Sequence, residues 1–493
     1  MPRVKHSVFS TALFLAGVTL VGRAIGFLRE VLMVAQFGVG LRTDIAVVLL
    51  TLPDFLIGLL LSGGFSAALI PYLKSIDQSA RVDAVRNVLF FVGIIFSVIA
   101  IGIWGFPQEI LRILAGAVTI SDAALYQQAF MLVGASLPIA ALSGVVSAYL
   151  NAKASFLLPG FAVIIFNVCI CLYLITGLED PWLFGFAAAV FLATTARFFI
   201  QFSGASEIVK SRRSIKLTLN LELARLFIVG ILAFAILNSV TIVFRSIFGS
   251  YDVGNVAVFN FSIKLFELPT AIIVGPLATV ILPSLAKFSQ DRTEFHRLLY
   301  GGVLAVLSVT IPFSALWQVF GEDVVRTAYQ YGNVTDEEVL RIGSTSKVIF
   351  LALPFAALVH ITSIALAAKT EIMALLKNCS ISLGSSVLFA SFFPSEASVL
   401  FSLVFFFVLL CILNLITLRL FFEASRISFA RDIASILAKA LTIAILAHYA
   451  NLLLISSLNH LLVTLFAGLF GIASLLLLLP NFAVLRKYQT SPE

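Results

Sequence analysis

Arg23, Arg29 and Glu30 stand inside an apolar stretch near the start of the chain, which runs on to Phe37-Gly38. A charge at bilayer depth costs about 2.5–3.5 kcal/mol on insertion scales, so such a group faces a cavity or a partner rather than lipid. At about 100° per residue, Arg23 and Glu30 share a helix face and Arg29 is one step round. Two chemistries fit this trio. One is an internal ion pair that docks the first helix on its neighbours; the other is an anion site in a central cavity. Arginine suits phosphate because its planar fork donates two parallel hydrogen bonds. Gly22 and Gly26 let the same helix bend or approach another closely. Lys264 and Glu267 form a second charged set, just before Pro269. Being three residues apart they share a face, as a self-masking pair or as a cation for the same ligand. Asp44, beside Arg42 at the start of the second apolar run, fits a helix cap or a gate.

Weaker candidates surround these. Arg197 and Arg245 fall near span ends, where a long side chain can snorkel to the interface. Asn167, Asn378 and Asn414 are expected to hydrogen-bond between helices. The four cysteines lie in apolar spans without C-x-x-C spacing and read as packing residues. The sequence carries no Gly-rich phosphate loop, zinc-ligand spacing or Ser-His-Asp set, so neither a cofactor nor a metal is expected.

The elements that must position these groups are membrane helices. The chain has 493 residues, 60% hydrophobic and 12% charged, with a mean hydropathy of +1.09. Soluble domains carry about 25% charged residues. Apolar runs recur at 8–36, 43–70, 86–106, 123–151, 156–177, 182–204, 221–248, 253–285, 298–320, 338–367, 372–393, 397–421, 432–456 and 459–484. The fold class is therefore an all-α polytopic membrane protein of about 14 transmembrane helices, with no sizeable soluble domain. Nineteen Lys and Arg fall in the loops of one side and four in those of the other, which makes the first side, with both termini, cytoplasmic. The net charge of +7 reflects this bias rather than nucleic-acid binding.

The chain also repeats itself. Gly63 and Pro71 match Gly275 and Pro283 at an offset of 212, Trp104 and Glu109 match Trp317 and Glu322 at 213, and Ser147, Leu150, Ala152 and Lys153 match Ser363, Leu366, Ala368 and Lys369 at 216. Six spans per copy is an even number, so the copies should be parallel repeats, a transporter architecture. The expected division is an N-terminal six-helix lobe at 1–211, a C-terminal six-helix lobe at 212–427 and two appended helices at 428–493.

At these residues the sequence resembles the MurJ (MviN) family of lipid II flippases, in the multidrug/oligosaccharidyl-lipid/polysaccharide exporter superfamily. The matching pieces are Arg23-x-x-Gly26-x-x-Arg29-Glu30, Phe37-Gly38, Thr43-Asp44, Leu52-Pro53, Gly63-x-Phe65-Ser66, Pro71, Lys264-Leu265-x-Glu267-x-Pro269, Leu282-Pro283-Ser284-Leu285 and Gln330-Tyr331-Gly332. The resemblance covers essentially the whole chain. It implies that Arg23, Arg29, Glu30, Asp44, Lys264 and Glu267 serve substrate binding, with basic residues of the first and eighth helices on the diphosphate. Lys264 stands where the family usually has arginine and Glu30 where it has aspartate. The chain departs from the pattern after Pro53, where Ile57, Gly58 and Ser62 replace the family's arginine and acidic positions.

The resemblance implies a non-enzymatic flippase of the bacterial inner membrane. It would move lipid II for cell wall synthesis as a monomer, in contact with membrane lipids. The competing expectation is a cation-coupled multidrug or oligosaccharide-lipid exporter of the same superfamily; those usually bind cations with acidic residues and stop at twelve spans. A lipid-dependent glycosyltransferase would need acidic residues in a large outer loop, and the outer loops here are short.

Overall fold

The structure, a computed structural model, describes residues 3–59, 69–115, 123–176, 182–210, 221–419 and 426–455, and among these every regular element is helical. Two compact units result: Met1–Ala257 with Tyr331–Asn333, and Val258–Gln330 with Val334–Glu493.

The first unit holds α1 (Arg3–Phe37), α2 (Leu41–Leu59), α3 (Ile70–Ser75), α4 (Gln78–Gly105), α5 (Pro107–Ala115), α6 (Ala123–Ala152), α7 (Leu157–Thr176), α8 (Trp182–Ser203), α9 (Glu207–Lys210) and α10 (Leu221–Gly249). Its centre is α6, whose apolar window is 67% buried against 22% for α4, so α6 is core and α4 is largely wall. α6 packs on α8, α4 and α2. Ser143 on α6 donates to the Gln201 side-chain oxygen on α8 at 2.6 Å, a polar tie between two apolar helices. α1 lies along α7. The end of α1 is fastened there by Gln36, whose Nε2 donates to the Leu174 carbonyl at 2.8 Å, and by Phe37 against Trp182 at 5.0 Å. The last-turn carbonyls of α1 have no partner within the helix. Asn333 supplies one, its amide donating to Ala35 at 2.9 Å and its side chain to Gln36 at 2.7 Å.

α11 (Asn255–Pro269) begins in the first unit and continues into the second, followed by α12 (Gly275–Lys287), α13 (Arg292–Tyr329), α14 (Asp336–Phe350), α15 (Leu353–Ala368), α16 (Ile372–Phe392), α17 (Glu396–Thr417) and α18 (Arg426–Ile455). Local chemistry fixes several starts. Asp291 caps α13 through the Thr293 and Glu294 amides, and Thr335 with Glu338 forms a reciprocal capping box on α14. α13 is the core helix here, 72% buried, against α14, α15 and α18. α18, the first of the expected appended spans, is held on it by Tyr300 donating to Asp432 at 2.6 Å and by Leu316, Phe320, Ile443 and Ala447.

Eight described helices are long and apolar enough to cross a bilayer, nine if the pair α14–α15, bent by 47°, counts as one. The expected span at 338–367 is that bent pair. The expected span at 253–285 is α11 and α12 joined by a π turn, Thr270–Val274. Pro269 explains the break, since it cannot donate to the Leu265 carbonyl. The expected span at 459–484 and most of the expected linker around Lys210–Lys216 lie outside the described residues.

The two units carry a matched internal contact. Trp104 on α4 donates to the Met131 carbonyl on α6 at 2.9 Å, and Trp317 on α13 donates to Ser346 on α14 at 3.1 Å. Each repeated tryptophan thus ties its helix to the next long helix of its own unit.

Candidate functional site

Arg29 is buried, 6% exposed, near the middle of α1. Its Nη2 donates to Glu30 at 2.6 Å and its Nη1 to the Asn167 side-chain oxygen on α7 at 3.0 Å. A second acid, Asp54 on α2, stands 3.6 Å from Nη1, too far for a hydrogen bond and close enough for a strong Coulomb attraction. Asn167 is positioned by donating to the Val163 carbonyl at 3.2 Å and the Gly22 carbonyl at 3.4 Å. A Cβ at Gly26 would come within 3.3 Å of that amide nitrogen, so glycine lets α1 and α7 approach at the guanidinium. The Nε of Arg29 has no hydrogen-bond partner although it is buried. A buried donor left open costs about 1–3 kcal/mol, more on a charged group. The ion pair and the anion site, alternatives in the sequence, are compatible here. Glu30 and Asn167 take two of the five guanidinium N–H groups, and Nε is without a partner.

Arg23, two turns earlier on α1, is exposed. Lys264 and Glu267 on α11 form the expected i,i+3 pair at 3.0 Å and are partly exposed, 34% and 45% at the side chain. Arg29 belongs to the first unit and Lys264 to the second.

Asp44 is fully buried. Its two oxygens accept from the Gly254 amide at 2.7 Å and the Ala257 amide at 2.8 Å, at the start of α11. A carboxylate there meets the positive end of the helix dipole and its orphan amides. Gly254 has a φ of +89°, and a Cβ on it would press on Val39 at 3.2 Å. Glycine is thus what lets this turn reach the carboxylate. Of the two roles open for Asp44 in the sequence, the geometry is that of the cap. Asp44→Ala is expected to lower stability by about 3 kcal/mol, from two charge-assisted hydrogen bonds, with Asp44→Asn recovering part of it. Thermal unfolding of the purified variants checks this; an unchanged midpoint for Asp44→Ala would contradict the capping role.

Arg197 and Arg245 do not snorkel. They are 6% and 5% exposed, with Arg197 over the Phe166 ring at 6.0 Å and Arg245 donating to Thr51 at 2.9 Å. Position along a span does not reveal which way the helix faces, and α8 turns Arg197 inward. Asp54, which the sequence analysis does not single out, joins the Arg29 cluster. Among the described residues no group of His, Cys, Asp or Glu has metal-binding geometry. Two buried asparagines of the second unit bond to polar side chains of other helices. Asn378 donates to Asn414 and Thr417, each at 3.0 Å, and Asn414 donates to Thr362 at 3.2 Å, as expected of interhelical asparagines.

A family model described as "Lipid II flippase MurJ" matches residues 33–471. The lipid II flippase MurJ of Burkholderia cenocepacia is 25% identical over 393 residues, 74% of each chain. The probable lipid II flippase MurJ of Vibrio cholerae is 24% identical over 363 residues, 68% of each. Among solved structures, a lipid II flippase MurJ in an inward closed conformation aligns with a TM-score of 0.82 at 18% identity, over 95% of this chain and 98% of that one. An inward-facing multidrug resistance MATE family transporter of the MOP superfamily aligns at 0.65 and 14%, over 84% and 95%. The structural likenesses carry the fold, which MATE transporters share, and the sequence match separates the two families. Matched along most of its length, the chain belongs to the lipid II flippase MurJ family.

Proposed function

We propose that this protein carries lipid II, the lipid-linked peptidoglycan precursor, from the cytoplasmic to the outer leaflet of the bacterial inner membrane by alternating access, with no bond made or broken. The observation that carries this reading is Arg29, a buried guanidinium held by Glu30 and Asn167 with Nε still open. A diphosphate crossing hydrocarbon needs cationic donors that replace water. Arg29 supplies a rigid fork, and Arg23 and Lys264 supply further charge. Glu30 and Glu267 limit the repulsion between those cations when no substrate is bound, and Asp44 supports the site by holding the start of α11. The sugar-peptide head group occupies the polar space, and the polyprenyl tail stays in lipid. The lobes that alternate are the repeats at 1–211 and 212–427, with the appended helices at 428–493 alongside the tail. A net-positive empty site would be driven back to the cytoplasmic side by the membrane potential, at about 2.3 kcal/mol per charge per 100 mV. Growth of a strain depleted of its own lipid II flippase and supplied with this chain tests the function; failure to grow, with the protein present in the membrane, would count against it.

The same reading places both termini and the α12–α13 turn in the cytoplasm. In a background with the native cysteines replaced, a single cysteine at Ser289 is expected to react with a membrane-impermeant thiol reagent only after the cells are opened. One at Glu396, the start of α17, is expected to react in intact cells. Labelling of Ser289 in intact cells would overturn the topology.

A further inference from the structure

Asp54 is the residue of the Arg29 cluster that nothing above assigns. It follows Pro53 in α2, 13 residues after the helix start at Leu41, or about 20 Å along the axis, which is bilayer depth. Its side chain is 41% exposed, whereas those of Arg29 and Glu30 are 8% and 3%. A carboxylate that open at that depth faces water rather than lipid. Its contacts are loose as well. Glu30 is hydrogen-bonded to Arg29 at 2.6 Å, but Asp54 only stands 3.6 Å from it. Arg29 is more than nine-tenths buried and keeps an Nε without a partner. It stands between two acids, Glu30 and Asp54. Of the two acids, one is fixed and buried while the other is loose and stands on the open side.

We infer that Asp54 is a displaceable counter-ion: it stands against Arg29 in the empty site, and a phosphate of the substrate takes its place. The inference deepens the lipid II reading and rests on it for the identity of the substrate. The physical reason for such a group is release. A buried guanidinium facing a diphosphate without competition would bind it too well to let it go. A carboxylate tethered at the same spot returns as the phosphate leaves and takes up the position beside Arg29 again.

The test is a binding measurement on the purified full chain in lipid nanodiscs, with inorganic pyrophosphate as the probe and lipid II as competitor. Asp54→Asn keeps the shape and removes the charge, and is expected to bind pyrophosphate about tenfold more tightly than the unmodified protein. Asp54→Glu restores the charge with a longer reach and is expected to bind as the unmodified protein does, or more weakly. Arg29→Gln in the Asp54→Asn background is expected to take back most of the gain. A residue that merely braces α2 would not raise affinity when neutralised. Equal or weaker binding by Asp54→Asn overturns the inference, and so does the absence of pyrophosphate binding by both proteins. Should Asp54→Asn fail to fold, Asp54→Glu decides alone, and tighter binding by it overturns the inference. If Asp54→Asn tightens pyrophosphate binding but lipid II does not compete, the counter-ion stands and the lipid II reading falls.

Discussion

Arg29→Ala is expected to abolish lipid II translocation while leaving the protein in the membrane. The substitution removes the donor that faces substrate and the cation that compensates Glu30, only 3% exposed at its side chain. Breaking a buried pair by deleting one partner costs about 3–5 kcal/mol. The packing of α1 along α7 is otherwise untouched, so the helix bundle is expected to survive. Transport is not spared in the same way. Losing a charged donor to a phosphate forfeits about 1.5–3 kcal/mol per hydrogen bond, or at least tenfold in the rate it supports. Arg29→Lys is expected to be nearly as damaging, because one ammonium cannot reach Glu30, Asn167 and a phosphate together. Growth of the flippase-depleted strain, read beside the amount of variant in the membrane fraction, checks both. Normal growth of Arg29→Ala would remove Arg29 from the site.

Lys264 gives the second large effect. Lys264→Glu is expected to fail, since it sets a negative charge in the site proposed for the diphosphate and leaves it beside Glu267. Lys264→Arg is expected to be tolerated, because a fork replaces a point charge at phosphate. The observed pair with Glu267 at 3.0 Å makes a simpler role available, in which each residue only masks the other. The double exchange Lys264→Glu with Glu267→Lys separates the two roles. It rebuilds the pair but carries the cation three residues along α11, about 4.5 Å along the axis. Partial growth at most is expected from the exchange. Full rescue would assign the pair to structure and remove Lys264 from substrate binding.

Much of this was readable before any coordinates. Hydropathy gave the helices, and the cost of charge in hydrocarbon singled out Arg29, Glu30, Lys264 and Glu267. Helical spacing put Lys264 on Glu267, and the missing amide of Pro269 put the break where the π turn follows. What was not readable is which faces meet. Arg29 finds Asn167 at a separation of 138 residues, and nothing local in the sequence links them. Arg197 looked like an interfacial residue because its distance from the span end is visible and the rotation of α8 is not. Asp54 was hidden by Pro53, since a proline followed by a polar residue reads as a break in a span before it reads as a site. Asp44 was legible as cap or gate, and only the Gly254 and Ala257 amides show the cap.

The most direct test is to measure lipid II in the outer leaflet. Cells depleted of their own flippase and expressing this chain are exposed to an externally added enzyme that cleaves lipid II, and the cleaved fraction is compared with that of cells expressing Arg29→Ala. The account predicts that the unmodified chain restores cleavage and that Arg29→Ala, at equal membrane abundance, leaves it at the depleted level. Cleavage restored equally by both would contradict a translocation path through Arg29, and cleavage restored by neither would contradict lipid II as the substrate.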